Sequence, residues 1–124
     1  MSFSPEVIDA AAREREVKLT TKGRRTGKPH TVTIWVSPDG DRLFIRSGGG
    51  LGRDWPQNLM AAGSGVLHVG SRDVPVRARH ITDAAEARAV SGFVRRKYGI
   101  NVTTSAEGQA LTPGEAASFE LLPG

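Results

Sequence analysis

A cationic turn between two strand-like segments carries the clearest chemical signal in the chain. The window from Val17 to Pro38 contains no acidic residue and places five cations close together: Lys18, Lys22, Arg24, Arg25 and Lys28. Gly23 and Gly27 allow the backbone to bend so that N–H groups point towards a ligand. Positive charge combined with backbone donors predicts an anion site, suited to a phosphate or a polycarboxylate.

Known phosphate-binding motifs do not fit these glycines. The segment from Gly23 to Lys28 is one residue too short for a P-loop, and Pro29 stands where a Ser or Thr would hold magnesium. In the later run 48–53, Arg53 occupies the third glycine position of the dinucleotide-binding fingerprint. We therefore expect the second glycine run to permit close backbone approach to a ligand, and we assign no residue as a catalytic acid or base.

The sequence favours neither a metal site nor thiol chemistry. A hairpin that turns at 71–72 would place His68 opposite Pro75 and far in register from His80, so the histidines are not expected to share a metal. His68 is interpreted as a strand residue with a satisfied ring nitrogen. Because the chain has no cysteine, any redox chemistry must come from a bound cofactor.

Length and composition limit the class of protein. With 124 residues and 38% hydrophobic content, one domain over residues 1–124 is expected. The net charge of +4 would suit nucleic-acid binding if it followed one face, but the charges outside the turn are mixed in sign, so we expect no nucleic-acid partner. No apolar run approaches the roughly 20 residues of a membrane span. Acidic residues near the start argue against a secretory signal, and a cytoplasmic protein is expected.

Alternating residues predict a mainly β (α+β) fold. A helix is expected over about 5–15, a barrel over about 17–80 with a returning strand over about 118–122, and a second helix over about 84–98. One of the strands runs over 31–36 and ends before a turn at 38–41. These elements predict a small antiparallel barrel of about six strands with flanking helices, although periodicity leaves open which barrel it is.

Three blocks of sequence resemble a known family. The stretch from Leu19 to Pro29 follows the pattern L-T-T-x-G-R-[RK]-[ST]-G-x-P, and it is followed by Ser-Gly-Gly-Gly at 47–50 and Trp-Pro-Gln-Asn-Leu at 55–59. Over about residues 17–80 the chain resembles the deazaflavin-dependent nitroreductase family, within the split β-barrel superfamily of pyridoxamine-phosphate oxidases and flavin reductases. The resemblance fades beyond Thr82.

The resemblance implies an oxidoreductase that uses the deazaflavin coenzyme F-420, with FMN as the alternative cofactor. The residues it implies for cofactor binding are Arg24, Arg25, Thr26, Lys28, His30, Val32, Thr33, Ser47, Gly48, Gly49, Arg53, Trp55 and Asn58. Trp35 and Tyr98 would lie on the substrate side, where hydride would pass to a quinone, a nitroaromatic compound or a conjugated alkene. A homodimer is also implied.

Other hypotheses for the same residues stay open. Many relatives have a lysine where Gly48 stands and an arginine where His30 stands, so the substrate and the tail affinity do not transfer. The basic turn could be a solvated turn that prevents edge aggregation, and the barrel could carry or sense an anion without turnover. If the turn does bind coenzyme, charge reversal at Arg24 and Arg25 should weaken binding and leave the thermal midpoint of the apo protein nearly unchanged.

Overall fold

The computed structural model describes residues 2–124. In this part of the chain the helices and strands follow in the order α1 Pro5–Arg13, β1 Val17–Lys22, β2 Pro29–Ile34, β3 Val36–Asp39, β4 Arg42–Arg46, α2 Asp54–Ala62, β5 Ser64–Val69, β6 Arg72–His80, α3 Ala84–Tyr98, α4 Pro113–Ala116 and β7 Ser118–Pro123. The N-cap side chains of Ser4 and Asp83 accept hydrogen bonds from the first turns of α1 and α3. Gly99, in the left-handed conformation, ends α3.

The strands form one antiparallel sheet in the order β2-β1-β5-β6-β7-β4-β3. The two edge strands, β2 and β3, are consecutive in the chain, and Trp35 alone separates them. Because one residue spans the gap between the two edges, the sheet must curl until they approach each other. The result is a split β-barrel with flanking helices, which confirms the predicted fold class.

A bend at Trp35 explains why the sheet has seven strands instead of the predicted six. The stretch 31–36 was expected to be one strand, but β2 pairs with β1 whereas β3 pairs with β4. Ile34 and Val36, on either side of Trp35, are both buried. The inward alternation therefore continues through the bend while the hydrogen-bonding partner changes, as at the corners of other curled sheets.

Two apolar clusters hold the fold together. One fills the barrel and contains Leu19, Leu67 and Phe119, and the other packs α3 against the outside of the sheet. Strand β4 contributes to both, because Leu43 and Ile45 belong to the barrel cluster and Phe44 belongs to the cluster under α3. Alternation along β4 then directs the following residue, Arg46, towards the α3 side.

The β5–β6 hairpin differs from the predicted register. Its turn is at 70–71, so that Val69 pairs with Arg72 and His68 pairs with Asp73, not with Pro75. Gly70 has φ 62°, which suits this tight turn. The His68 ring bonds Thr20 through Nε2 and Asp73 through Nδ1, both at 2.7 Å. His68 is thus a strand residue with satisfied ring nitrogens, as interpreted from the sequence.

Two features that would indicate a function are absent from residues 2–124. Among the described residues, no group of three or more His, Cys, Asp and Glu side chains is arranged to hold a metal ion. No helix in the same part of the chain is long and apolar enough to cross a membrane.

Candidate functional site

A groove of about 650 Å³ lies between β2, β4, α3 and the loop that follows β4. We call it the main groove. Among the residues that line it are seven predicted cofactor residues and one predicted substrate residue: Val32, Thr33, Ser47, Gly48, Gly49, Arg53, Trp55 and Trp35. The fold therefore brings together the glycine run, the second strand and both tryptophans, which lie far apart in the sequence.

The loop from Ser47 to Arg53 presents backbone donors to this groove. The N–H of Ser47 is bonded to Ala117 O and that of Gly50 to Ser47 O, whereas the N–H groups of Gly48 and Gly49 make no hydrogen bond to any described residue. Gly49 also accommodates Arg53, since a Cβ at Gly49 would overlap Arg53 Nε. Two free N–H groups and a guanidinium thus lie along one side of the groove, and such a set suits an anionic oxygen ligand.

The two tryptophans are half-buried, each supported by another aromatic ring. Trp35 stacks on Tyr98 with ring centroids 4.0 Å apart, and the Arg15 guanidinium lies 5.5 Å from the Trp35 ring. Trp55 packs at a tilt against Phe119, with 6.1 Å between centroids. Both indoles line the groove, so each contributes apolar surface to a ligand while its other side is held by the core.

Tyr98 does not occupy the position predicted for it. The residue is 8% exposed, it does not line the main groove, and its hydroxyl donates to Arg15 O at 2.7 Å. Burial raises the pKa of Tyr98 to about 12. The structure therefore places Tyr98 behind Trp35, where it supports that ring instead of contacting substrate, because the apolar stripe of α3 turns it into the core.

The basic turn forms a second, smaller cavity of about 200 Å³, which we call the turn cavity. It is lined by five predicted cofactor residues together with Gly23 and Asp54: Arg24, Arg25, Thr26, His30 and Asn58. Lys28 lines neither cavity, and its backbone N–H bonds Thr26 Oγ1 at 3.3 Å. The predicted cofactor residues thus divide between two cavities that draw on neighbouring residues at the start of α2, with Arg53 and Trp55 in the main groove and Asp54 in the turn cavity.

Arg24 is engaged within the protein. Asn58 Oδ1 accepts from the Arg24 backbone N–H at 3.1 Å and from its Nη1 at 2.8 Å, and Asp54 Oδ1 lies 3.4 Å from Nη2. Asn58 is 4% exposed, so its role in these contacts is to position the turn. Charge reversal at Arg24 would disrupt these bonds and lower stability, which corrects the expectation that the thermal midpoint would stay unchanged.

Arg25 and Lys28 differ from Arg24 in this respect. Both are exposed, and neither side chain forms a salt bridge with any residue of the described chain. Together with Lys22, which is also exposed and makes no salt bridge within the described residues, they are cations that a ligand can reach without displacing a protein partner.

Sequence reasoning missed two charged residues of the main groove, Glu16 and Arg46. Burial lowers the pKa of the Arg46 guanidinium, although an arginine keeps its charge in proteins. Its Nη1 donates to Ser91 Oγ at 2.7 Å. Alternation along β4 is the sequence signal that could have found it, but using that signal requires knowing that α3 covers the outer face of that strand.

Comparison with known proteins places the chain in a structural class. No curated protein matches its sequence significantly. An F-420 reductase superimposes with a TM-score of 0.64 at 17% identity, covering 98% of this chain and 96% of that one. A candidate pyridoxamine 5'-phosphate oxidase from Listeria innocua gives 0.68 at 11% identity, covering 95% and 90%. An FAD-binding protein from Mesorhizobium loti gives 0.60 at 16% identity, covering 100% and 92%.

At these identities the structural similarity establishes the fold, and the split β-barrel is shared with all three proteins. The finer resemblance to deazaflavin-dependent nitroreductases stays a prediction. A family model described as "Uncharacterized protein conserved in bacteria (DUF2255)" matches residues 7–120, and the chain therefore belongs to this family.

Proposed function

We propose that this protein binds a flavin-type coenzyme across the two cavities and positions it to reduce a small electron acceptor, with F-420 as the coenzyme. The observation that carries the proposal is the placement of an apolar, tryptophan-lined groove next to a cationic cavity, both built on β2 and the start of α2. A coenzyme with a flat ring at one end and an anionic tail at the other matches such a pair.

The main groove fits the ring and its phosphate. Its volume of about 650 Å³ falls within the range of about 300–1,000 Å³ that ligand pockets occupy. Trp35 and Trp55 offer apolar faces, while the free N–H groups of Gly48 and Gly49 and the Arg53 side chain offer donors for phosphate oxygens. An alanine at Gly49 would push Arg53 out of this arrangement.

Two features of the turn cavity bear on the choice between F-420 and FMN, and they point in opposite directions. Arg25 and Lys28 are free to meet an extended polyanionic tail, which F-420 has and FMN lacks. Arg24, however, is held by Asn58 and Asp54, so the turn offers fewer available cations than its sequence suggests. That observation favours a ligand with a shorter anionic tail, such as FMN.

The chemistry divides between coenzyme and protein. When bound and reduced, the coenzyme supplies a hydride, the acceptor takes it with a proton from solvent, and the coenzyme is left oxidised. The chain contributes orientation, because the tryptophans and the loop fix a ring in one plane. The acceptors we propose are quinones, nitroaromatic compounds and conjugated alkenes.

The decisive experiment is a titration of apo protein with F-420, FMN and FAD, followed by fluorescence and thermal shift. Arg25→Glu combined with Lys28→Glu should weaken F-420 binding about tenfold or more, equivalent to about 1.4 kcal/mol, because both reversals face the anionic tail. The matched control is Arg72→Glu with Arg95→Glu, which changes net charge equally at exposed residues outside both cavities and outside the basic turn.

Each outcome is informative. Tighter binding of F-420, lost in the turn variant and kept in the control, supports the deazaflavin proposal. Tighter binding of FMN, insensitive to the turn variant, supports the second candidate. If none of the three binds, the proposed function is wrong and a carrier of another anion becomes the better hypothesis.

We also propose a homodimer, as the family resemblance implies, in which a second copy completes the open side of the groove. Gel filtration with light scattering measures this directly. A monomer at concentrations that bind coenzyme would contradict it.

A further inference from the structure

Arg46 is a cation built into the wall of the main groove without an acidic partner. Its Nη1 donates to the neutral hydroxyl of Ser91 on α3, and no salt bridge joins it to a carboxylate within residues 2–124. Arg42 and Arg79, by contrast, both pair with Glu120. A half-buried guanidinium with donors to spare is costly unless something anionic meets it.

The nearest acid is committed elsewhere. Glu115 is completely buried, and its carboxylate accepts from the Ser105 N–H and hydroxyl and from the Thr112 N–H. Its charge is felt by Arg46 at a distance, yet it makes no direct bond to it. The guanidinium instead lies against Gly114, where a Cβ would overlap Nη2. The fold thus positions the guanidinium closely and leaves part of it available.

The surroundings of Arg46 describe the ligand it would meet. On the α3 side of the groove most of the other lining side chains are apolar or aromatic, namely Trp35, Phe44, Val94 and Val102, and Ser37 adds a hydroxyl group. A single cation in an apolar wall suits a flat organic anion, with its body on the apolar surface and its acidic group on the guanidinium. Glu16 also lines the groove and would repel the acidic end, which favours one orientation.

The donors for a coenzyme are distinct from this residue. The free N–H groups and Arg53 lie on the loop 47–53, and Arg25 and Lys28 lie on the basic turn. Arg46 stands on the strand itself and is directed towards α3 through Ser91. The groove therefore has one cation more than the proposed coenzyme contacts use.

We propose that Arg46 binds the carboxylate of the electron acceptor, so that the substrate class is a conjugated organic acid and not a neutral nitro compound. Ser91 is the positioning residue that orients the guanidinium. The redox step rests on the proposed function, but binding of the acid does not, because it needs only the groove of the apo protein.

The test compares two probes of nearly the same shape, the anionic cinnamate and the neutral cinnamamide, by isothermal titration calorimetry on the apo protein and again with saturating FMN or F-420. The wild-type protein should bind cinnamate at least about tenfold more tightly than the amide. Arg46→Gln should remove this preference while keeping the affinity for the amide. Arg46→Lys should retain part of it, because the charge persists without the bidentate fork.

Two further variants separate positioning from general effects. Ser91→Ala should reduce the preference for cinnamate several-fold without changing affinity for the amide, whereas Arg72→Gln, an exposed cation outside the groove, should leave both unchanged. Thermal melting of each variant checks that it folds.

The outcomes distinguish this inference from the proposed function. Equal binding of the two probes by wild type, no binding of either, or a preference that survives Arg46→Gln would overturn the assignment of Arg46. Coenzyme titrations unaffected by those results would leave the proposed function standing. A charge preference in a protein that binds no coenzyme would support the Arg46 site and reject the flavin reductase.

Discussion

The contact between Asn58 and Arg24 predicts how much the structure of the basic turn depends on one buried side chain. Asn58 is 4% exposed and its Oδ1 accepts two hydrogen bonds, from Arg24 N at 3.1 Å and Arg24 Nη1 at 2.8 Å. Asn58→Ala removes both acceptor interactions at once. Among the described residues, the turn then keeps only the longer contact between Arg24 and Asp54 to α2, and the domain loses stability.

The magnitude follows from the two bonds. A neutral backbone bond contributes about 1 kcal/mol, and a bond to a charged donor contributes about 1.5–3 kcal/mol. The Arg24 side chain is 26% exposed, so water can replace part of the second bond and its lower range applies. We expect a loss of about 2–3 kcal/mol in the free energy of unfolding, which for a domain of this size lowers the thermal midpoint by roughly 6–12 °C.

The assay is urea unfolding followed by circular dichroism, with thermal melts as a second readout. Asn58→Asp keeps an oxygen acceptor and should cost much less than alanine. A double-mutant cycle with Arg24→Met isolates the pair, and Arg25→Met serves as the matched control because that side chain has no salt-bridge partner in the described chain. A loss below about 0.5 kcal/mol for Asn58→Ala, or equal losses for alanine and aspartate, would refute the reasoning.

Two further predictions concern the glycine loop and α3. Gly49→Ala should displace Arg53 and weaken flavin binding several-fold with little change in stability, since φ at Gly49 is not in the left-handed region; Gly52→Ala, where a Cβ meets nothing within 4 Å, is the control for binding titrations. Burial lowers the pKa of Lys97 to about 8, from 10.5. Between about pH 8 and pH 10.5 the unfolded chain therefore binds more protons at Lys97 than the folded chain does, so the free energy of unfolding increases with pH over this range. Lys97→Met should remove it, and equal pH slopes in urea unfolding would contradict this.

Local patterns in the sequence were sufficient to predict most of the fold. Alternation predicted the strands, and capping residues predicted the helices. Ser4 and Asp83 cap helix starts and Gly99 caps a helix end, so each acts within a few residues of its helix. Two features could not be read in this way. The bend at Trp35 depends on which strand each half of the segment pairs with, and contacts distant in the chain decide that pairing. The 70–71 turn depends on the left-handed conformation of Gly70, which the alternation of the flanking strands does not reveal.

Sequence motifs indicated some residues of the candidate site. Residues whose position depends on packing against another element could not be placed from the sequence. The fold brings the glycine run, Trp55 and Trp35 to one groove; cofactor binding by the first two and substrate contact by Trp35 stay predictions of the family resemblance. Tyr98 was misplaced because a strong apolar stripe on α3 draws it into the core behind Trp35. Arg46 was missed because its environment depends on α3, which follows β4 by nearly forty residues in the chain.

Counting cations in the sequence overstates the charge available to a ligand, and the fold explains why. Arg24 is held by Asn58 and Asp54, and Arg79 is held by Glu86 and Glu120. The side-chain donors of both arginines bond within the protein, so these cations are less available to a ligand than the sequence suggests. Side-chain oxygens on other segments of the fold determine which arginines are engaged in this way.

The same reasoning identifies the charges that matter for function. Within residues 2–124, the side chains of Arg25, Lys28, Arg46 and Arg53 make no salt bridge. The first two stand on the turn, and the last two face the groove. Of these four, Arg46 alone is partly buried while the other three are exposed, so the cost of poorer solvation of a charge is greatest there. An anionic acceptor would remove that cost, and this is the physical reason to expect selectivity from Arg46 more than from the exposed turn.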